Sequence, residues 1–421
     1  MKTRVLIFTG IFLILGITFS IQEVDAVLFS DKFGSSGSAD GQFDDPRGIT
    51  IDSANKIIVA DTFNQRIQVF DSAGNHTQTI GSFGAGEGFL DDPRGVTVDS
   101  NDRIIVLDTD NSRVQIFNSS GNFVKIFGWG VDTGANTFEI CTLNCQEGIA
   151  GHAEGQFFDA RGISVDSTDR IIIADSDNDR VQIFNSSGNF IKTFGWGVDT
   201  GANRFEICTI NCQRGISGSA SGQFDNVRGI AVDSANRLIT VDSNNSRIQI
   251  FDSSGNHTQS FGSFGSAVGL FNLPFGIAID SLDRIIVADT INQRIQIFNS
   301  TGNHIQSFGS FGSADGQFNN PRGISIDDAD RIIVADSYNH RIQIFDYTNP
   351  CNQPLSGDWV ITNTCTLSGN KTAMGNVIVQ NNSVLVISND VTLTINSGNN
   401  ITIESGGGLS IKNGGDLQVI S

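Results

Sequence analysis

One stretch of this chain occurs six times, and nothing else limits its fold as much. Its last copy reads Pro321-Arg322-Gly323-Ile324-Ser325-Ile326-Asp327, then Arg331-Ile332-Ile333-Val334-Ala335-Asp336, then Arg341-Ile342-Gln343-Ile344-Phe345. An Arg-Gly pair opens five copies, at Arg47, Arg94, Arg161, Arg228 and Arg322, and Phe275 takes the Arg place in the remaining one. The intervals are 47, 67, 67, 47 and 47 residues, and the two long copies carry the same extra 20 residues. A fixed period of this size means a repeat architecture, in which each unit buries its apolar surface against its neighbours.

Each copy holds four short apolar runs bounded by turn residues. In the first they are Gly48–Asp52, Lys56–Asp61, Arg66–Phe70 and Thr77–Ile80. Ile-Ile-Val-Ala is apolar on both faces and predicts a strand buried between layers. Arg-Ile-Gln-Ile-Phe alternates and predicts a strand with one wetter face. Between the third and fourth runs, Asp71-Ser72-Ala73-Gly74-Asn75 suits a hairpin turn with Gly free to take positive φ. Four antiparallel strands, repeated radially, make a β-propeller blade; a stacked solenoid is the alternative. The chain ends decide between them. The sixth copy lacks its fourth run, and a matching run stands alone at the front, Val27-Leu28-Phe29-Ser30-Asp31-Lys32-Phe33-Gly34. An N-terminal strand that completes the last blade closes a ring and removes both free edges. The expected fold is therefore all-β: a six-bladed propeller over 27–349 and a small β-rich module over 350–421.

Pro-Arg-Gly-Ile-x-Ile-Asp, Ile-Val-Ala-Asp-x-x-Asn-x-Arg-Ile-Gln-Ile-Phe and the Gly-Asn turn also resemble NHL repeats, over roughly residues 27–346. The resemblance implies the same six-bladed propeller. It implies little about chemistry, because such propellers bind proteins or RNA in some members and act as lyases in others.

Residues 1–26 read as an export signal. Lys2 and Arg4 are basic, Val5 to Phe19 is an apolar run of fifteen residues, and Val24-Asp25-Ala26 offers a small-residue cleavage site. An uncleaved anchor is the rival. No second long apolar run exists, so no stable membrane span is expected after signal removal. The formal net charge is −19, and losing residues 1–26 leaves it there, since Lys2 and Arg4 go with Glu23 and Asp25. A nucleic-acid partner requires basic footprints, so this balance argues against one and suits a solvated extracellular surface. The six cysteines form three local pairs, Cys141/Cys145, Cys208/Cys212 and Cys351/Cys365. In an exported chain they read as disulfides that pin the two inserts and the start of the C-terminal module; a Cys₄ zinc site joining the inserts is the rival. Residues 351–421 show short alternating runs separated by Asn, Gly and Ser, which predict a small β-solenoid or a sandwich. An open last rung would be a self-association edge.

In a propeller the fourth-to-first-strand links and the second-to-third-strand loops emerge on one face, at the mouth of the central channel. That face gathers the Arg ring and the inserts. Each second strand ends in Asp (Asp61, Asp108, Asp175, Asp242, Asp289, Asp336), so the ring Arg residues would pair with these, in competition with the Arg that opens each third strand. The functional alternative is an anion or carboxylate pocket lined by Arg47, Arg94, Arg161, Arg228 and Arg322. The loop position that varies reads Phe63, Asp110, Asp177, Asn244, Ile291, Tyr338. With Phe275, its apolar members define one contiguous sector flanked by the inserts, and such sectors mark interaction sites. The alternative is that these side chains fold onto neighbouring loops.

The five histidines do not converge, and the Asp/Asn supply repeats in every blade, so no cofactor or metal is expected. Asn-x-Ser/Thr sequons occur at Asn75, Asn118, Asn185, Asn244, Asn256, Asn299, Asn370, Asn381 and Asn400, though turn chemistry alone accounts for many. The reading is a secreted or cell-surface, non-catalytic binding or scaffold protein for a protein or glycan ligand. A metal-dependent, lactonase-like hydrolase or lyase and a surface-layer component are the alternatives, so enzymatic activity stays open with the balance against it.

Overall fold

Strand identity follows from which faces each run must bury. The Ile-Ile-Val-Ala-Asp runs, such as Ile57–Asp61, Ile285–Asp289 and Ile332–Asp336, are buried at every position. Each lies second in its sheet and carries a neighbouring blade on both faces. We describe the protein from a computed structural model over residues 26–348 and, between 359 and 419, the segments 359–361, 365–367, 371–373, 375–379, 384–387, 392–395, 399–403, 408–411 and 416–419. The stretch up to residue 25, where an export signal is expected, Cys351, the side chain of Cys365, and the sequons at Asn370 and Asn381 lie outside the described residues.

Six antiparallel sheets form the first unit, Val27–Tyr347. Blade one runs Pro46–Ile51, Ile57–Asp61, Arg66–Phe70, His76–Ile80 from axis to rim. Blade six runs Pro321–Ile326, Ile332–Asp336, Arg341–Thr348, and its outer strand is Ala26–Phe33, so the N-terminal strand closes the ring. Phe29 meets Phe345 edge-on, with centroids 6.0 Å apart, and Val27 and Phe29 pack on the cluster between blades five and six. Both are half-buried, so each contributes less than the roughly 1.5–3 kcal/mol of a fully buried side chain.

Closure leaves blade six without a third-to-fourth-strand hairpin, and the sequence compensates. Elsewhere Arg103, Arg237 and Arg331 reach the next blade's hairpin, donating to the carbonyls of Ser186, Ser300 and Ser72. Arg284 has no such hairpin beside it and instead lies 4.0 Å over the ring of Tyr347, whose hydroxyl donates to Asp280. The far face is clasped the same way at five joints, for example Ser53 Oγ to Asp102 at 2.6 Å. At the closing joint the pair is exchanged for Asp328 and Asn55, bonded at 3.1 Å.

The inserts correct one expectation. They do not wall the channel mouth; each adds a fifth strand, Phe138–Cys141 or Phe205–Cys208, at the outer edge of blades two and three. The reason is local. The fourth strands there, Phe123–Trp129 and Phe190–Trp196, are two residues longer than His76–Ile80 and offer an unpaired backbone edge, which the insert covers. Cys141–Cys145 and Cys208–Cys212 are disulfide-bonded, each closing its own small loop.

The second described unit is a three-sided parallel solenoid. It has three sheets of three strands, and the second and third strands of each stack residues 24 positions apart, Val377 on Ile401, Leu385 on Leu409 and Leu393 on Leu417. Trp359, Ile361, Val377, Val379, Leu385, Ile387, Leu393 and Ile395 fill its interior. Of the two architectures left open for this segment, parallel pairing between rungs decides for the solenoid.

Candidate functional site

Six innermost strands meet at the propeller axis, and their triplets, Arg-Gly-Ile in four blades, Arg94-Gly95-Val96 in blade two and Phe275-Gly276-Ile277 in blade five, stack in three rings. The glycines lie where adjacent strands approach most closely. A Cβ on Gly162 would lie 1.8 Å from the carbonyl oxygen of Arg228, and one on Gly276 1.8 Å from that of Arg322. No side chain fits there, so the repeated Gly is a wedge requirement. Above and below, Arg47, Arg94, Arg161, Arg228, Phe275 and Arg322, with the aliphatic ring beginning at Ile49, line a cavity of ≈ 370 Å³.

The ring Arg residues do not pair with the Asp at the end of the second strand. That carboxylate goes to the Arg opening the third strand, as in Arg66–Asp61 at 2.7 Å, Arg113–Asp108 at 2.7 Å and Arg180–Asp175 at 2.9 Å. A Gln and an Asn complete the cluster; Gln68 and Asn64 both donate to Asp61. The third-strand Arg wins because it sits directly opposite the Asp in the antiparallel register. Arg47, Arg94 and Arg161 use instead the acid two positions before them, and each acid also reaches one neighbouring ring Arg. Asp45 bridges Arg322 and Arg47, Asp92 bridges Arg47 and Arg94, and Asp159 bridges Arg94 and Arg161.

This alternating arc ends because Asn226, Leu273 and Asn320 stand in place of the acid on blades four, five and six, where Arg322 alone reaches Asp45 of blade one. Arg228 therefore has no carboxylate partner. Its Nε donates to Asn226 Oδ1 at 2.6 Å, and its guanidinium lies 3.9 Å over the Phe275 ring. Burial, reinforced by the nearby Arg161, brings its pKa down to about 9. Arg322 also stacks on Phe275, at 5.4 Å, and its Nε is buried without a hydrogen-bond partner.

The varying loop positions surround this mouth. Phe63 packs one face on Arg47, at 5.0 Å, and Tyr338 packs on Arg322, at 5.2 Å, yet both stay exposed, as does Ile291. Asp110 and Asp177 occupy the position on blades two and three, and burial pushes both carboxyls up. Asn244 is held by Asp225 at 2.8 Å. Sequence reasoning missed three further aromatics on the adjoining links: Phe83 (69% exposed), Phe264 (73%) and Phe311 (70%). The signal was there to read. Ser36 occupies the equivalent place on the closing link, so the fold needs no aromatic in it. At the third-to-fourth-strand turns, Asn118, Asn185 and Asn299 accept backbone N–H groups through Oδ1, and Asn75 and Asn256 donate to the Asp that does so. These five sequon residues thus already serve the turn; Asn400 is exposed in the second unit.

A closed ring of six antiparallel sheets around an axial cavity defines a six-bladed β-propeller. Its repeats at 43–70, 90–117, 159–184, 224–251, 271–298 and 318–345 match the NHL repeat, and the chain belongs to that family. It is similar to Protein brain tumor of Drosophila melanogaster, 27% identical over 238 residues, covering 56% of this chain and 14% of that protein. Protein lin-41 of Caenorhabditis elegans is 49% identical over 43 residues, 10% of this chain and 4% of its own length. The chain thus spans a small part of these curated relatives. Among solved structures, a protein of unknown function from Bacteroides thetaiotaomicron superposes with a TM-score of 0.53 at 15% identity, covering 76% of each chain, which shows the shared fold.

Proposed function

We propose that this propeller is a non-catalytic recognition module, exported or held at the cell surface, that takes a protein or glycan partner on the face carrying the Arg ring. One observation carries the reading: Phe63, Ile291 and Tyr338 stand exposed around one sector of that face, with Phe275 at its inner edge and Phe264 and Phe311 extending it outward. Exposed aromatics next to Arg are the usual anchors of a binding surface. NHL propellers generally mediate protein interactions. The two disulfides suit an oxidising compartment. Among the described residues no helix is long and apolar enough to cross a membrane. The test is capture from the host's envelope fraction by wild type and by the variant carrying Phe63→Ser, Phe275→Ser, Ile291→Ser and Tyr338→Ser. The variant should lose its partner while melting as before. Unchanged capture removes the reading.

A further inference from the structure

We propose that the break in the Arg–Asp arc, between Arg228, Phe275 and Arg322, is a binding site for a single carboxylate joined to an apolar body. The proposal rests on the recognition reading above and specifies its chemistry.

Five guanidinium groups ring the mouth, and three carboxylates, Asp45, Asp92 and Asp159, bridge four of them into the chain Arg322–Asp45–Arg47–Asp92–Arg94–Asp159–Arg161. Arg228 is the one left over. Its Nε is taken by Asn226 and one face by Phe275, while its two Nη groups make no hydrogen bond to any described residue. Two coplanar N–H donors on one edge are the fork that receives a carboxylate bidentately. The Phe275 ring lies against Arg228 and Arg322 together, at 3.9 and 5.4 Å, so a ligand seated on the fork has an apolar wall beside it. The ≈ 370 Å³ cavity has room for a small organic group.

Charge selects a monoanion. Asp177, tied to Asn226 Nδ2 at 2.8 Å, stands near Arg228 without pairing to it and would repel a second negative charge. Blades one, two and three carry an acid of their own where blade four has Asn226, and Arg322 of blade six takes Asp45 of blade one, so an external carboxylate at Arg228 would complete what the sequence omits.

The test is titration of the full chain at low salt with benzoate, benzamide and inorganic phosphate, followed by calorimetry and by the Nε–Hε signals of the arginines. Benzoate should bind, benzamide and phosphate at least about tenfold more weakly. Arg228→Gln should weaken benzoate by about tenfold or more, whereas Arg94→Gln, which removes the same charge from a fully paired position, should change it less than about threefold. Asp177→Asn should tighten it. Equal binding of benzoate and benzamide, or equal losses in Arg228→Gln and Arg94→Gln, would overturn the site. Competition locates the source: benzoate that displaces the captured partner stands in for a carboxylate the partner delivers, and benzoate that binds without displacing it marks a free acid as ligand. If the apolar-sector variant loses capture but wild type binds no benzoate, the recognition reading survives and this site does not.

Discussion

Two sets of Arg residues, one opening the first strand of the blades and the other opening the third, have opposite histories around the ring. In the inner cluster, Asp, Asn, Arg and Gln recur without exception in all six blades, from Asp61, Asn64, Arg66 and Gln68 to Asp336, Asn339, Arg341 and Gln343. At the mouth the same residue types occur, but the acid is lost at Asn226, Leu273 and Asn320, and the Arg at Phe275. The difference teaches where the wedge imposes chemistry. Inside, one carboxylate satisfies an Arg, a Gln, an Asn and a backbone N–H of the link, so every blade needs all of it. At the mouth solvent can replace a partner, so blades are free to differ and the differences can serve a ligand.

The largest expected effect tests the inner half of that contrast. The Asp175 and Arg180 side chains are wholly inaccessible to solvent. Asp175→Ala leaves the guanidinium buried and uncompensated, which should cost about 3–5 kcal/mol in urea unfolding. A loss under about 1 kcal/mol would mean that Arg180's carbonyl partners at His152, Ala153, Gln156 and Gln213 suffice, and the contrast would fail. Next is the glycine ring. Gly162→Ala should cost about 1–3 kcal/mol or more, because the obstacle is a backbone oxygen that cannot swing aside. At Gly95, where the nearest oxygen is 2.8 Å away, the same change should cost less. Equal costs would show that the strands relax and that close approach does not set the residue.

The fold was legible because periodicity and one missing strand define it. The Arg-Gly spacing counted the blades, and Val27–Phe33 showed how the ring closes. Side-chain pairing was less legible. Asp61 stands fourteen residues from Arg47 and five from Arg66 in sequence, and only the register places it opposite the latter. The acid at Asp45 that serves Arg47 could have been read from its place two residues ahead, since Asn226 and Leu273 break that column just where Arg228 and Phe275 stand. The insert position was not readable, because it depends on a fourth strand extending to Trp129 and Trp196. Phe83, Phe264 and Phe311 are readable in the sequence, because Ser36 at the equivalent place shows that the link does not require an aromatic.

The smallest effect sharpens the contrast at a position between the two layers. The residue just before the third-strand Arg is Gln65, Ser112, Asp179, Ser246, Gln293 or His340. Four of these, Gln65, Asp179, Gln293 and His340, accept a hydrogen bond from a backbone N–H in the next blade, at Asp92, Asn226, Asn320 and Asp45. The contact is shared while the side chain varies, and only Asp179 brings a negative charge. Burial raises its pKa to about 7, and the carboxylates of Asp225, Asp242 and Asp177 add to that, against the opposing bond from Asn226. A carboxyl raised in the fold from 3.8 holds its proton while the unfolded chain has released it, so stability falls as pH rises between about 4 and 7 and levels off above. Asn accepts the same bond, tolerates the left-handed backbone that Asp179 adopts at φ 48°, and carries no charge. Asp179→Asn should therefore match wild type near pH 4 and exceed it at pH 8 by on the order of 1 kcal/mol, well below the full linkage value because the group is partly solvated. Melting temperatures at the two pH values check this. A difference that does not grow across that window would mean the ionised carboxylate is already satisfied, and the mouth would then hold more compensating charge than Arg228's isolation implies.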